Sequence, residues 1–133
     1  MKRIGMMFTA LVLATGAQAG DWSTSYSTMT LPDEPGDLRI FAPYDHDGGR
    51  IIGQMRLGAS GPVITGSWVE AGSGVTCDTA VDGSHHWGAV TLQFNPDYTS
   101  FTGSWDYCGE SGGGNWVGEI GAGKALFRGL TDR

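Results

Sequence analysis

Several groups of residues in this chain are of types that could do chemistry. Spacing decides against most of them. His85 and His86, with Asp82 nearby, form a cluster that could bind a metal. Adjacent residues on a strand point to opposite faces, so the two imidazoles do not converge on one ion. Zinc needs three or four convergent ligands. Asp45-x-Asp47-Gly48 starts like a calcium loop but lacks the third acidic ligand and the later bidentate Glu, and reads better as a turn. Glu70, Asp106 and Glu119 are candidates for the carboxylate pair of a glycoside hydrolase. By alternation Glu70 falls on the face of Trp68 and the other two fall on the opposite face, which gives no shared site. No Gly-x-Ser-x-Gly stands at a strand-to-helix elbow. Gly112-Gly113-Gly114 is followed by neither a Lys nor a helix, so it is no phosphate cradle. The expectation is a protein that is not an enzyme, with no metal and no cofactor.

Five tryptophans are the remaining signal: Trp22, Trp68, Trp87, Trp105 and Trp116. Trp68, Trp105 and Trp116 share parity with apolar strand positions, which assigns them to core packing. Trp22 and Trp87 stand near strand starts and, with Tyr44, are the candidates to line a mouth where a sugar or small apolar ligand would stack. Cys77 and Cys108 are the two cysteines. In an exported chain an even count reads as one disulfide, and neither a metal pair nor a reactive thiol has supporting His/Cys spacing.

The elements that would position these residues are organised around a repeat. Thr65-Gly66-Ser67-Trp68 returns as Thr102-Gly103-Ser104-Trp105, and the apolar positions before each copy correspond: Met55 with Leu92, Leu57 with Phe94, Ile64 with Phe101. Each copy reads as strand, turn, strand. Strands are expected over 21–31 (with a bulge near Ser27-Thr28 where the alternation slips), 38–44, 50–57, 63–70, 86–94, 100–107 and 115–120, with an eighth within 125–130. Residues 71–84 form the longest irregular stretch. Leu57 is expected inward with Ile51 and Met55. Gly53, Gly66, Gly103 and Gly118 recur on inner faces, where they make room for indole rings or bend the strands of a small barrel. The fold class is all-β: an antiparallel up-and-down meander of 7–8 strands closed as a small barrel, with a β-sandwich as the alternative.

Residues 1–19 read as a secretory signal peptide: Lys2 and Arg3, an apolar run from Ile4 to Ala14, and Ala17-Gln18-Ala19 before the cut. That leaves 20–133 as a single domain in the periplasm or outside the cell. The formal net charge is −6 from 8 basic and 14 acidic residues; without Lys2 and Arg3, 6 basic residues oppose 14 acidic ones, a net −8. An acidic chain repels phosphate backbones and anionic headgroups, so neither nucleic acid nor membrane is an expected partner.

Trp22-x-Thr-x-Tyr-x-x-Met29-x-Leu31, Asp47-Gly-Gly-Arg-Ile-x-Gly53, the two Thr-Gly-Ser-Trp closures and Gly114-Asn-Trp-x-Gly118 resemble a group of small exported bacterial β-meander proteins without an assigned activity. More distantly the chain is similar to the avidin and lipocalin class. That resemblance implies an eight-stranded barrel with a ligand in its mouth, although the ligand-gripping residues of avidins have no match here. The functional expectation is an exported binding module holding a small molecule or glycan through Trp22, Tyr44 and Trp87. The alternative is a protein-binding inhibitor or structural module acting through the 71–84 and 108–114 loops, pinned together by Cys77–Cys108.

Overall fold

The structure, a computed structural model, describes residues 20–121. The leader expected over 1–19 and the strand expected within 125–130 lie outside the described residues. Eight strands follow in chain order: β1 (Asp21–Thr24), β2 (Ser27–Thr30), β3 (Leu38–Pro43), β4 (Arg50–Gly58), β5 (Gly61–Val69), β6 (Trp87–Phe94), β7 (Ser100–Tyr107) and β8 (Ser111–Ile120). From β3 to β8 each strand pairs with the next, β8 returns to β1, and β1 pairs with β2. The product is one antiparallel sheet curled into a nearly closed barrel, not two packed sheets. Its edges, β2 and β3, meet at a single bridge between Met29 and Tyr44, beside which the Asp45 N–H donates to Thr28 O at 3.0 Å.

The slip of alternation between 21 and 31 is a hairpin, not the expected bulge. Thr24 pairs with Ser27 and Trp22 with Met29, so only Ser25 and Tyr26 make the turn. In a two-residue hairpin an even-numbered position faces an odd-numbered one, so the inward parity inverts across the turn. Ser27 takes a left-handed φ of 76°, while Thr24 Oγ1 donates to Ser27 O at 2.8 Å and accepts from Tyr26 N–H at 3.0 Å.

Inward residues follow the alternation on β5 and β6, where Ile64, Trp68, Val90, Leu92 and Phe94 are buried. Leu57 departs from it. Although inward by parity it is 58% exposed, because it lies past the Met55–Ile64 rung and next to the Gly58–Gly61 turn. β8 starts at Ser111 and takes the Gly112–Gly114 run into the sheet, next to a register shift between Trp105 and Tyr107. A Cβ at Gly113 would meet the Trp105 carbonyl, so the irregular pairing there demands glycine.

Two further inner-face glycines show what the pattern is for. Gly53 and Gly66 face each other across β4 and β5, and a Cβ on either would strike a carbonyl of the partner strand. They let two backbones come together where the barrel bends. Gly118 instead leaves room for a ring, and it is that of Phe101 rather than an indole.

One end of the barrel is packed shut. Trp22, fully buried, has Phe94, Tyr98 and Phe101 around it at ring-centroid distances of 5.4, 5.2 and 5.9 Å. Tyr98, from the β6–β7 turn, donates its hydroxyl to Pro32 O at 2.7 Å and ties that turn to the segment after β2. The other end, formed by the β1–β2 turn, the β3–β4 loop, the 70–86 connection and the ends of β5 and β7, stays open.

Candidate functional site

At the open end lies a pocket of about 610 Å³, within the range of about 300–1,000 Å³ typical of small-molecule sites. Its wall is aromatic. Trp68 ends β5, Trp105 and Tyr107 end β7, Trp116 lies on β8, and Tyr26 comes from the β1–β2 turn. The rings meet edge to face in a continuous series: Tyr26 with Trp116 at 4.9 Å, Tyr26 with Trp105 at 6.0 Å, Trp105 with Trp68 at 5.7 Å, and Trp105 with Tyr107 at 5.1 Å. Edge-to-face pairs add roughly 0.5–1.5 kcal/mol each beyond area burial, so the wall stiffens itself.

The indole N–H groups are engaged with the protein. Trp68 Nε1 donates to Asp106 O at 2.8 Å, Trp105 Nε1 to Asn115 O at 3.3 Å, and Trp116 Nε1 to Thr24 Oγ1 at 3.1 Å. Ring carbon and π surface are therefore what these three residues offer to the pocket.

The polar side of the pocket holds Glu70, Asp47 and His46. The β4–β5 register brings them together: with Arg50 opposite Val69, the loop before β4 lies beside the chain after β5, and Ala71 N–H donates to Asp47 O at 2.8 Å. Glu70 is only 9% exposed. Its Oε2 accepts the Tyr44 hydroxyl at 2.7 Å. Burial pushes the Glu70 carboxyl above its usual range, and the Tyr44 hydrogen bond partly offsets that. Burial, together with the neighbouring carboxylate, also holds the Tyr44 phenol protonated far above the usual tyrosine range. A carboxyl shifted by desolvation inside a cleft marks a functional-site candidate. One ligand atom each from His46, Asp47 and Glu70 lies within 4.8 Å of the others. Among the described residues these three could gather round a metal ion, and Glu70 Oε2 would come to it already hydrogen-bonded to Tyr44.

The three residues expected to line a mouth, Trp22, Tyr44 and Trp87, fall in three different places. Tyr44 is at the site but behind it, buried and holding Glu70 while its ring packs on Trp116 at 5.0 Å. Trp22 is in the core at the closed end. Trp87 starts β6 half-buried, its indole N–H donating to Thr79 O at 2.8 Å in the long connection. Cys77 and Cys108 form a disulfide that joins the 70–86 connection to the turn after β7. His85 and His86 bond to different partners: His85 Nδ1 lies 2.8 Å from Cys77 O, and His86 Nδ1 lies 3.0 Å from Ser73 Oγ. Asp82 pairs with Arg50 Nε at 2.8 Å. Asp106 serves the backbone, its Oδ1 accepting from the N–H groups of Ala89 and Gly109.

Sequence reasoning missed His46 and the approach of Asp47 to Glu70. Two signals were in view: the shared parity of Glu70 and Trp68, and the Asp45-x-Asp47 pair. Neither marks the site by itself, because the site joins them across the β4–β5 hairpin. Comparisons with protein-family models, with curated proteins and with solved structures found no match for this chain.

Proposed function

We propose that this chain is an exported, non-enzymatic binding module whose small-molecule ligand occupies the aromatic pocket at the open end of the barrel. One observation carries the reading: at that end the chain brings five aromatic rings and a buried carboxyl around a single pocket of about 610 Å³. The opposite end, by contrast, is filled by Trp22 and its neighbours. Pockets of this kind, mostly apolar with a few placed polar groups, are where small ligands bind. The disulfide fits the same reading. It anchors the connection whose Gly72, Ser73 and Gly74 form part of the pocket rim. It is also compatible with export to an oxidising compartment, as the pattern of residues 1–19 suggests. The protein-partner alternative would use the 71–84 and 108–114 loops as a docking surface, and of these Gly72, Ser73 and Gly74 line the pocket.

The test is intrinsic tryptophan fluorescence of the purified protein against panels of glycans, small hydrophobes and small charged organic molecules, repeated with Trp105→Leu. A saturable shift with one class, lost in the variant, supports the reading. A melting temperature and spectrum indifferent to every panel would refute it.

A further inference from the structure

Resting on the small-molecule reading above, the geometry points to a ligand class: the pocket is built for a small organic cation carrying an alkylated ammonium group. Three features converge on it. First, the walls are aromatic, with Tyr26, Trp68, Trp105, Tyr107 and Trp116 all lining the pocket. The ring quadrupole attracts a cation lying over a Trp or Tyr face, most strongly when the site is desolvated, and Trp68, Trp105 and Trp116 have their N–H donors directed at protein acceptors. The indoles thus offer a ligand ring surface rather than hydrogen-bond donors.

Second, two carboxyl groups line the pocket and no Lys or Arg does; His46 is the basic side chain in the lining. Glu70 and Asp47 both line it. Arg50, on the neighbouring strand β4, is held by Asp82: its Nε reaches Asp82 Oδ2 at 2.8 Å and its Nη2 reaches Asp82 O at 2.9 Å. Among the described residues, neither carboxylate in the pocket makes an ion pair with Lys or Arg. The remaining ionisable neighbours of Glu70 are Tyr44, His46 and His86. Tyr44 donates a hydrogen bond but no charge. A ligand cation would meet two carboxyl groups that neither Lys nor Arg pairs with among the described residues.

Third, shape separates an alkylated ammonium from a bare metal ion. Rings from β5, β7, β8 and the β1–β2 turn enclose a space much larger than an ion, next to the carboxylates rather than apart from them. An alkylated ammonium has an apolar surface to bury against the rings and a delocalised charge for the π faces and Glu70.

The experiment is a calorimetric and fluorescence titration of the whole protein with choline, with its neutral carbon isostere 3,3-dimethylbutan-1-ol, with a neutral disaccharide and with Ca²⁺ or Zn²⁺. Saturable binding of choline, at least about tenfold tighter than the neutral isostere, supports the proposal. Glu70→Gln should weaken choline by a similar factor while leaving the isostere unchanged. Should Glu70→Gln fold poorly, Asp47→Asn at the exposed rim tests the same charge. Equal affinity for choline and the isostere, or binding of the disaccharide alone, overturns the cation while the small-molecule pocket stands. Metal binding that depends on His46 and Glu70, without choline binding, overturns it in favour of an ion site. Silence toward every probe overturns both this inference and the reading beneath it.

Discussion

Replacing Trp22 tests whether the closed end of the barrel is a packed core rather than a second mouth. Trp22 is fully buried, and its ring contacts Phe94, Tyr98 and Phe101. An aromatic side chain of this size buries on the order of 200 Å². At about 25 cal/mol/Å² that is roughly 5 kcal/mol of transfer free energy, consistent with the approximately 3–5 kcal/mol measured for Trp or Phe truncation in other cores. One term runs the other way. Trp22 Nε1 is buried with no hydrogen-bond partner among the described residues, a cost of about 1–3 kcal/mol that truncation removes. Trp22→Ala should therefore destabilise by about 2–4 kcal/mol, lowering the melting temperature by roughly 8–16 °C at about 4 °C per kcal/mol for a domain near 100 residues. Trp22→Phe keeps most of the apolar surface and discards the unpaired N–H, so it should fall within about 1 kcal/mol of the parent. Urea denaturation with parallel m-values measures both. If the Ala variant lost less than about 1 kcal/mol, or the Phe variant lost as much as the Ala variant, the packing argument would fail.

Cys77→Ser or Cys108→Ser should cost about 3.7 kcal/mol in the chain-entropy account of a loop closed over a sequence separation of 31. Thermal melts with and without reductant measure it, and an indifferent melting temperature would refute the role given to the bond. Glu70 should leave a pH signature: with its native pKa raised above the unfolded value, the native state binds more protons between the two. Its contribution is therefore full below about pH 4.3 and lost as pH climbs through the raised native value. Subtracting the stability–pH curve of Glu70→Gln from that of the parent should reveal this decline, and a difference that rises with pH would contradict the burial of Glu70.

The fold was largely legible because period-2 alternation and turn chemistry are local. The Thr-Gly-Ser-Trp repeat marks β5 and β7, the second and fourth strands of consecutive hairpins, and Gly58 to Gly61 announces the turn between β4 and β5. The error at 21–31 was one of interpretation: a bulge and a two-residue hairpin shift parity alike, and what distinguishes them is whether Met29 lies opposite Trp22, a tertiary fact. The placement of Trp22 turned on the same ambiguity. Nearness to a strand start says that a residue is at an end of the barrel, but not which end is filled. The β6–β7 turn decides that by sending Tyr98 inward and its hydroxyl to Pro32 O.

The site illustrates why a core tryptophan and a binding tryptophan look alike in a sequence. Trp68 and Trp116 are 3% and 2% exposed, as deeply buried as core residues, yet both line the pocket. Parity fixes that a residue points inward; whether inward means packed or lining depends on how much other side chain fills that level of the barrel. At the level of Trp22 the space is taken by Phe94, Tyr98 and Phe101, contributed by adjacent strands and the turn between them. At the level of Trp68, β6 contributes Gly88 opposite it, where a Cβ would strike the Asp106 carbonyl and crowd the Trp68 indole nitrogen. Gly88 thus does two things at once. It admits the bond from Trp68 Nε1 to Asp106 O that turns the indole donor toward the protein, and it adds no side chain to that level of the barrel. Gly88→Ala should consequently disturb the pocket through Trp68, showing as a shifted tryptophan emission, and an unaltered spectrum in a folded Gly88→Ala protein would break that link between the glycine pattern and the site.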